Sequence, residues 1–292
     1  MKKTFLILSS FLLISITSFS QGFYIRAGGG YGLPAGTASI GEKYTYERVS
    51  TTVTTEKYSE KNVKASYGAG GDFNLGIGYR YNEVITFDLG IQYLLSKKYE
   101  TYYKHSYTGS GPASLNNVIT TTSAKEILFD PSVIFKAGFW NGAPYAKFGI
   151  VLGVPTISKD ESSFDNTDGT SAWQQTWKYN KGIAFGYLGA VGMNWKLSEK
   201  MDLFSEIDFV SMTYYAKEGN LTKYLTSNDG IIWKDYLPNT MVSQRQYVYK
   251  NSFDPSINND GTKPTVALKE STPFSSISLQ FGIKYMLGKK KD

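Results

Sequence analysis

ASYGAGGDFNLGIGYRY, residues 65–81, alternates in character along its whole length. The odd positions are Ala65, Tyr67, Ala69, Gly71, Phe73, Leu75, Ile77, Tyr79 and Tyr81, and most are apolar or aromatic. The even positions are Ser66, Gly68, Gly70, Asp72, Asn74, Gly76, Gly78 and Arg80, all small, polar or charged. Successive strand side chains point to opposite faces, whereas a helix would mix the two sets around its circumference. The stretch therefore predicts one long strand with an apolar face and a small, polar face.

The same pattern spreads outward from it. After a tight turn at Asn82-Glu83, Ile85, Phe87, Leu89, Ile91, Tyr93 and Leu95 oppose Thr86, Asp88, Gly90, Gln92 and Ser96, with Leu94 as the exception. Residues 183–197 and 277–287 alternate just as cleanly, and 22–33, 145–157 and 201–215 do so more weakly. In 124–139 the alternation is least regular. Proline cannot donate to a sheet ladder, so a bulge is predicted near Asp130-Pro131. These runs amount to eight strands.

Their connections sort by length. Asn82-Glu83, Asn141-Gly142-Ala143 and Ser198-Glu199-Lys200 are short, whereas roughly 34–64, 104–122, 158–179 and 218–272 are long. Asn-Gly suits a hairpin turn whose central residues take positive φ. Short and long connections alternate strictly, as in an up-and-down membrane barrel with turns at one end and loops at the other. Phe23, Tyr24, Tyr79, Tyr81, Trp140, Tyr145, Trp195 and Tyr285 fall near the turn end. Rings with a polar tip favour a membrane interface, so these predict one aromatic girdle, and Tyr67, Tyr99, Tyr102, Tyr179 and Tyr214 a second at the loop end. The expected fold is all-β: an eight-stranded antiparallel up-and-down transmembrane β-barrel.

The chain opens with MKKTFLILSSFLLISITSFSQG: two lysines, an apolar run from Phe5 to Phe19, then small residues. That layout predicts a signal peptide, residues 1–20, cleaved after Ser20. Ser9, Ser10, Ser15, Thr17 and Ser18 dilute the run too far for a spanning helix, which needs about 20 mainly apolar residues. Residues 21–292 are then expected to form a single outer-membrane barrel domain with four long extracellular loops, exported by a Gram-negative bacterium. The formal charge of +6 falls by two with Lys2 and Lys3, too small a balance to suggest nucleic acid. With no cysteine, disulfides and thiolate chemistry are excluded. The chain has 23 Tyr and 29 Gly and is slightly polar on average, which suits a barrel better than helical spans.

From Gln21 to about Gly288 this architecture resembles the OmpA/OmpW-like class of small outer-membrane barrels. The resemblance implies outer-membrane lipids and the barrel-assembly machinery as partners. Two features depart from it. The chain ends at Asp292 with no peptidoglycan-binding domain expected, and the last strand runs into Gly-Lys-Lys-Lys-Asp rather than ending on an aromatic.

Alternation places Arg26, Asp72, Arg80, Asp88, Glu126, Lys136, Lys147, Lys196, Glu206, Asp208 and Lys284 on inward faces. An eight-strand interior is just wide enough for side chains to fill, and buried charges need partners. The expectation is a salt-bridged network plugging the lumen, with a narrow polar channel as the alternative. His105, the sole histidine, neighbours Ser106, but adjacent strand residues diverge. No catalytic site is therefore expected. Asp165-Asn166-Thr167-Asp168-Gly169 loosely resembles a calcium loop but lacks the spaced final Glu, and turn chemistry accounts for Asn258-Asn259-Asp260-Gly261. No metal or cofactor is expected. Trp173, Trp177, Tyr224, Trp233 and Tyr236 in the long connections are candidates for binding an extracellular protein or glycan, or else for packing the loops together. Three functions stay open: a non-enzymatic structural or surface-interaction protein; a narrow pore or small-molecule transporter, including lateral release of hydrophobic molecules; and an enzyme at the outer rim.

Overall fold

The computed structural model describes residues 22–50, 54–109, 114–137, 142–165, 171–228, 231–252, 254, 256 and 260–288. The expected signal peptide, Trp140, Asn141 and most of the calcium-like segment lie outside the described residues. Among the described residues, seventeen strands form one sheet. In chain order they are β1 (Phe23–Pro34), β2 (Ala38–Ser50), β3 (Thr54–Ala65), β4 (Gly70–Arg80), β5 (Ile85–Ser96) and β6 (Tyr99–Thr108). Then come β7 (Ser114–Lys136), β8 (Gly142–Asp165), β9 (Ser171–Asn180), β10 (Ala184–Lys196), β11 (Met201–Tyr215) and β12 (Glu218–Ser227). The last are β13 (Lys234–Asp235), β14 (Gln246–Lys250), β15 (Thr265–Leu268), β16 (Ser271–Pro273) and β17 (Ser276–Met286).

Eight of them close into an antiparallel barrel. β1 pairs with β4, β4 with β5, β5 with β7, β7 with β8, β8 with β10, β10 with β11, β11 with β17, and β17 with β1. No edge is left in this ring, so every strand of the wall is paired on both sides. Side-chain oxygens shape the tight connections: Asn82 Oδ1 accepts from the Ile85 amide at 2.6 Å, and Ser198 Oγ from the Met201 amide at 3.1 Å.

The alternation holds around the ring. Ile25, Leu75, Leu89, Ile127, Phe148, Val191, Ile207 and Leu279, one from each barrel strand, are exposed on the outer wall. Their neighbours Arg26, Asn74, Asp88, Glu126, Lys147, Ala190, Glu206 and Gln280 are buried inside. Leu94 also points inward. A one-residue slip would exchange the two faces, so the pattern fixes the register.

The structure corrects three expectations. The β5–β7 register runs unchanged through Gly90↔Asp130 and Leu89↔Pro131, and β7–β8 keeps the same register on either side. There is no bulge at Asp130-Pro131: proline loses one donor without displacing the chain. Tyr24 and Tyr145 point into the lumen, not to the outer wall, and so do Tyr67, Tyr99 and Tyr214. The loop-end girdle read from these last residues is an interior plug instead.

The long connections are also largely strands. β7 and β8 run together from Lys136↔Tyr145 to Asn116↔Asp165, far past the point where β5 leaves β7 at Lys125. There β6 takes over as partner of β7, and β9 as partner of β8. The result is an open extension at the loop end, ordered β3-β2-β6-β7-β8-β9-β12-β14-β15. One face of this extension continues the lumen face of the barrel.

Candidate functional site

At the turn end a polar network crosses the lumen. Arg26 Nη2 lies 2.8 Å from Asp88 Oδ1, Arg26 Nε donates to the same oxygen at 3.0 Å, and Nη1 donates to Asn74 Oδ1 at 2.8 Å. Arg26 also faces Asp130 at 3.5 Å. Lys147 Nζ sits 3.5 Å from both Asp130 and Glu206. Two tyrosines complete the carboxylates: Tyr24 donates to Asp88 at 2.6 Å and Tyr145 to Glu206 at 2.7 Å. Asn74 passes the chain to Gln280, and Gln280 to Asp72 at 2.8 Å. Lys284 donates to Asn194 at 2.8 Å and lies 4.5 Å from the Tyr145 ring centre and 4.9 Å from that of Phe204. All eight barrel strands contribute a side chain to this set. Ion pairing and hydrogen bonding of this kind are what make buried charge tolerable.

Small residues make room for it. A Cβ on Gly90 would strike Asp130 Oδ1 and Arg26 Nη2, and one on Gly76 would meet Arg26 Nε at 2.7 Å. Gly76 and Gly90 are therefore spaces filled by the long side chain of Arg26 and by Asp130 from neighbouring strands.

Of the charges read as lumenal, Arg26, Asp88, Lys147, Glu206, Asp208 and Lys284 are buried together. Asp72 is half-buried and bonded to Gln280 rather than to a cation. Arg80 is half-buried near the turn end and makes no ion pair among the described residues. Lys196 is a correction: it is exposed at the end of β10, outside the network. Sequence reasoning missed Asp130, which bridges Arg26 and Lys147; the supposed bulge at Pro131 hid its inward parity. It also missed the tyrosine partners, although Tyr24 alternates with Ile25 in β1.

Above the network the lumen becomes apolar. Tyr67, Tyr99, Tyr214 and Phe274 meet across it, with Leu94, Leu128, Val151, Leu188 and Met212 below and around them. Tyr67 and Tyr99 pack edge-on at 5.7 Å, as do Tyr214 and Phe274 at 5.8 Å, a geometry that favours aromatic pairs. Between the two zones, Glu126 is buried with neither carboxyl oxygen bonded among the described residues. It lines, with Asp72, Ser276 and Ser278, a cavity of about 10 Å³, enough for about one water.

Over the aromatic plug lies a cavity of about 450 Å³. Tyr67 is shared with the plug, and Thr122, Lys159, Tyr179, Tyr249 and Thr272 are among the other lining residues. Trp177 stacks on Tyr179 at 6.5 Å and meets Tyr247 edge-on at 5.4 Å. Trp173 and Trp177 share the face of β9 that carries Tyr179, and Tyr224 pairs with Gln175 of that same face. Tyr224 packs edge-on against Tyr236 at 5.4 Å, and Trp233 is half-buried. Trp173, Trp177 and Tyr224 lie in the strands of the extension, and Tyr236 packs against it through Tyr224. His105 stacks on Tyr46 at 4.7 Å in the paired strands β6 and β2. Asp260 Oδ1 accepts from the Thr262 hydroxyl and amide, which holds its carboxyl down to about 2 and shapes a turn at residues 260–262, whereas Asn258 and Asn259 lie outside the described residues.

No protein-family model matches the chain, and no curated protein sequence matches it.

Proposed function

We propose that the chain is a non-enzymatic outer-membrane β-barrel protein that acts through the surface at its loop end, in the manner of the small OmpA/OmpW-like barrels. The observation that carries this is the inversion of the barrel: all eight strands expose Leu, Ile, Val or Phe outward, while Arg26, Asp88, Asp130, Lys147, Glu206 and Lys284 are buried inside. A closed apolar wall of this kind suits lipid, whereas in water it would be an aggregation liability. The lumen is filled by the ion-paired network and the aromatic plug. This favours a structural or binding role over a pore, and pairing along all eight seams of the ring, among the described residues, speaks against lateral release through the wall. The loop-end extension, with its large cavity, is then the surface available to a partner outside the cell.

Single cysteines test the orientation, because the chain has none of its own. Thr222→Cys, in the exposed strand β12, is expected to react with a membrane-impermeant maleimide on intact cells. Ser198→Cys, at the tight turn, is expected to react only after the cells are broken. Equal labelling of both in intact cells, or of neither, contradicts the proposal.

A further inference from the structure

We infer that the loop-end cavity is a binding site for an uncharged carbohydrate. This rests on the reading that the loop end faces outside the cell, and it assigns a ligand class to that surface.

The first reason is the chemistry of the lining. Thr122, Ser271 and Thr272 bring hydroxyls, and Tyr67, Tyr179 and Tyr249 bring rings with a polar tip. A sugar needs both: its axial C–H groups pack on aromatic faces while its hydroxyls exchange hydrogen bonds with short polar side chains. Tyrosine supplies broad contact area with little loss of rotamer freedom. Burial and its tyrosine neighbour push the Tyr249 hydroxyl up to about 12, and Tyr179 is likewise raised by burial. Both stay protonated at neutral pH and can donate.

The second reason is charge. Lys159, the cation of the lining, already pairs with Glu161 at 2.8 Å. Glu270 adds an acidic group where the chain is exposed. An anionic ligand such as a phosphate or an acidic sugar would meet no unpaired cation here, whereas a neutral ligand has nothing to displace.

The third is how the rings are brought together. Tyr179 of β9 and Tyr249 of β14 are separated by β12, yet their centroids lie 6.3 Å apart at a tilt of 49°. Gly219 of β12 sits between them: a Cβ there would meet Tyr179 Cδ1 at 3.0 Å and the Tyr249 hydroxyl at 3.2 Å. The missing side chain lets the two rings converge into one V-shaped wall, and Trp177 and Tyr247 extend it. A cavity of about 450 Å³ holds a ligand of one or two sugar rings, in the ordinary range for small-molecule sites.

The test uses the whole mature protein in detergent micelles on an array of immobilised neutral and acidic oligosaccharides, with hits titrated by calorimetry. At least one neutral oligosaccharide is expected to bind. Tyr179→Ala is expected to weaken it about tenfold or more, the cost of losing one anchoring ring. Gly219→Val should weaken it by wedging the two rings apart, Tyr179→Phe should retain part of the affinity, and Tyr215→Ala, on the outer wall, should leave it unchanged. Unfolding profiles of the variants confirm that the barrel is intact. No binding to neutral sugars, equal or better binding to acidic ones, or indifference to Tyr179→Ala overturns the inference. Cysteine labelling reads the exposure of the loop end independently, so failure on the array with correct labelling refutes the ligand class alone.

Discussion

At the turn end the lumen is filled by Arg26, Asp88, Asp130, Lys147 and Glu206 in ion pairs; at the loop end it is filled by Tyr67, Tyr99, Tyr214 and Phe274 in edge-on ring contacts. Both halves occupy the same narrow cylinder, but they tolerate error differently. The charged half depends on each partner being present, because a buried ion left alone keeps its desolvation cost and loses its compensation. The apolar half depends on volume, so its variants are penalised by the hole they leave. Glu126, on the border, belongs to neither arrangement.

Substitutions in each half sharpen that contrast, read as unfolding free energies by denaturant titration in micelles. Arg26→Ala strips the guanidinium from buried Asp88 and Asp130 and is expected to cost about 4 kcal/mol. An effect below that of a surface change would mean that the network is solvated rather than buried. Phe274→Ala opens a cavity in the plug and is expected to cost about 3 kcal/mol. Replacement by Leu, which restores much of the volume, should recover most of that loss. Glu126→Leu removes an unbonded carboxyl from beside Leu128, Met212 and Phe274, and is expected to stabilise by about 1–2 kcal/mol. A loss of stability there would show that Glu126 has a partner, such as water in the adjoining cavity. Lys196→Ala, exposed beyond the network, should stay within about 0.5 kcal/mol of the parent.

The comparison also shows what the sequence could convey. The barrel was legible because lipid-type and lumen-type side chains alternate residue by residue, as in Phe73-Asn74-Leu75-Gly76-Ile77. The loop-end strands were less so, because their outer face is polar and their inner face is only partly covered. β3, TTEKYSEKNVKA, is exposed at almost every position and carries no two-residue contrast. The charges of the network were found by parity except Asp130, where a local rule about proline outweighed a register that the neighbouring residues already set. Tyrosine was misread for a physical reason: it suits a membrane interface and a polar lumen equally, so only parity separates Tyr24 from Tyr79. The mouth cavity was beyond reach, since Thr122, Tyr179 and Tyr249 are brought together by the pairing of β7 with β8, β8 with β9, β9 with β12 and β12 with β14.

The central claim is that the interior is filled from end to end, with the ion-paired half and the aromatic half in series. Single-channel recording of refolded residues 21–292 in a planar lipid bilayer, with insertion checked by protease protection, tests it most directly. A silent bilayer for the parent protein is the expected result, and it should stay silent when only the turn-end half is opened by Arg26→Ala, because the plug of Tyr67, Tyr99, Tyr214 and Phe274 remains. Stable unitary conductance steps from the parent protein would contradict the account, since they require a continuous water path through both halves.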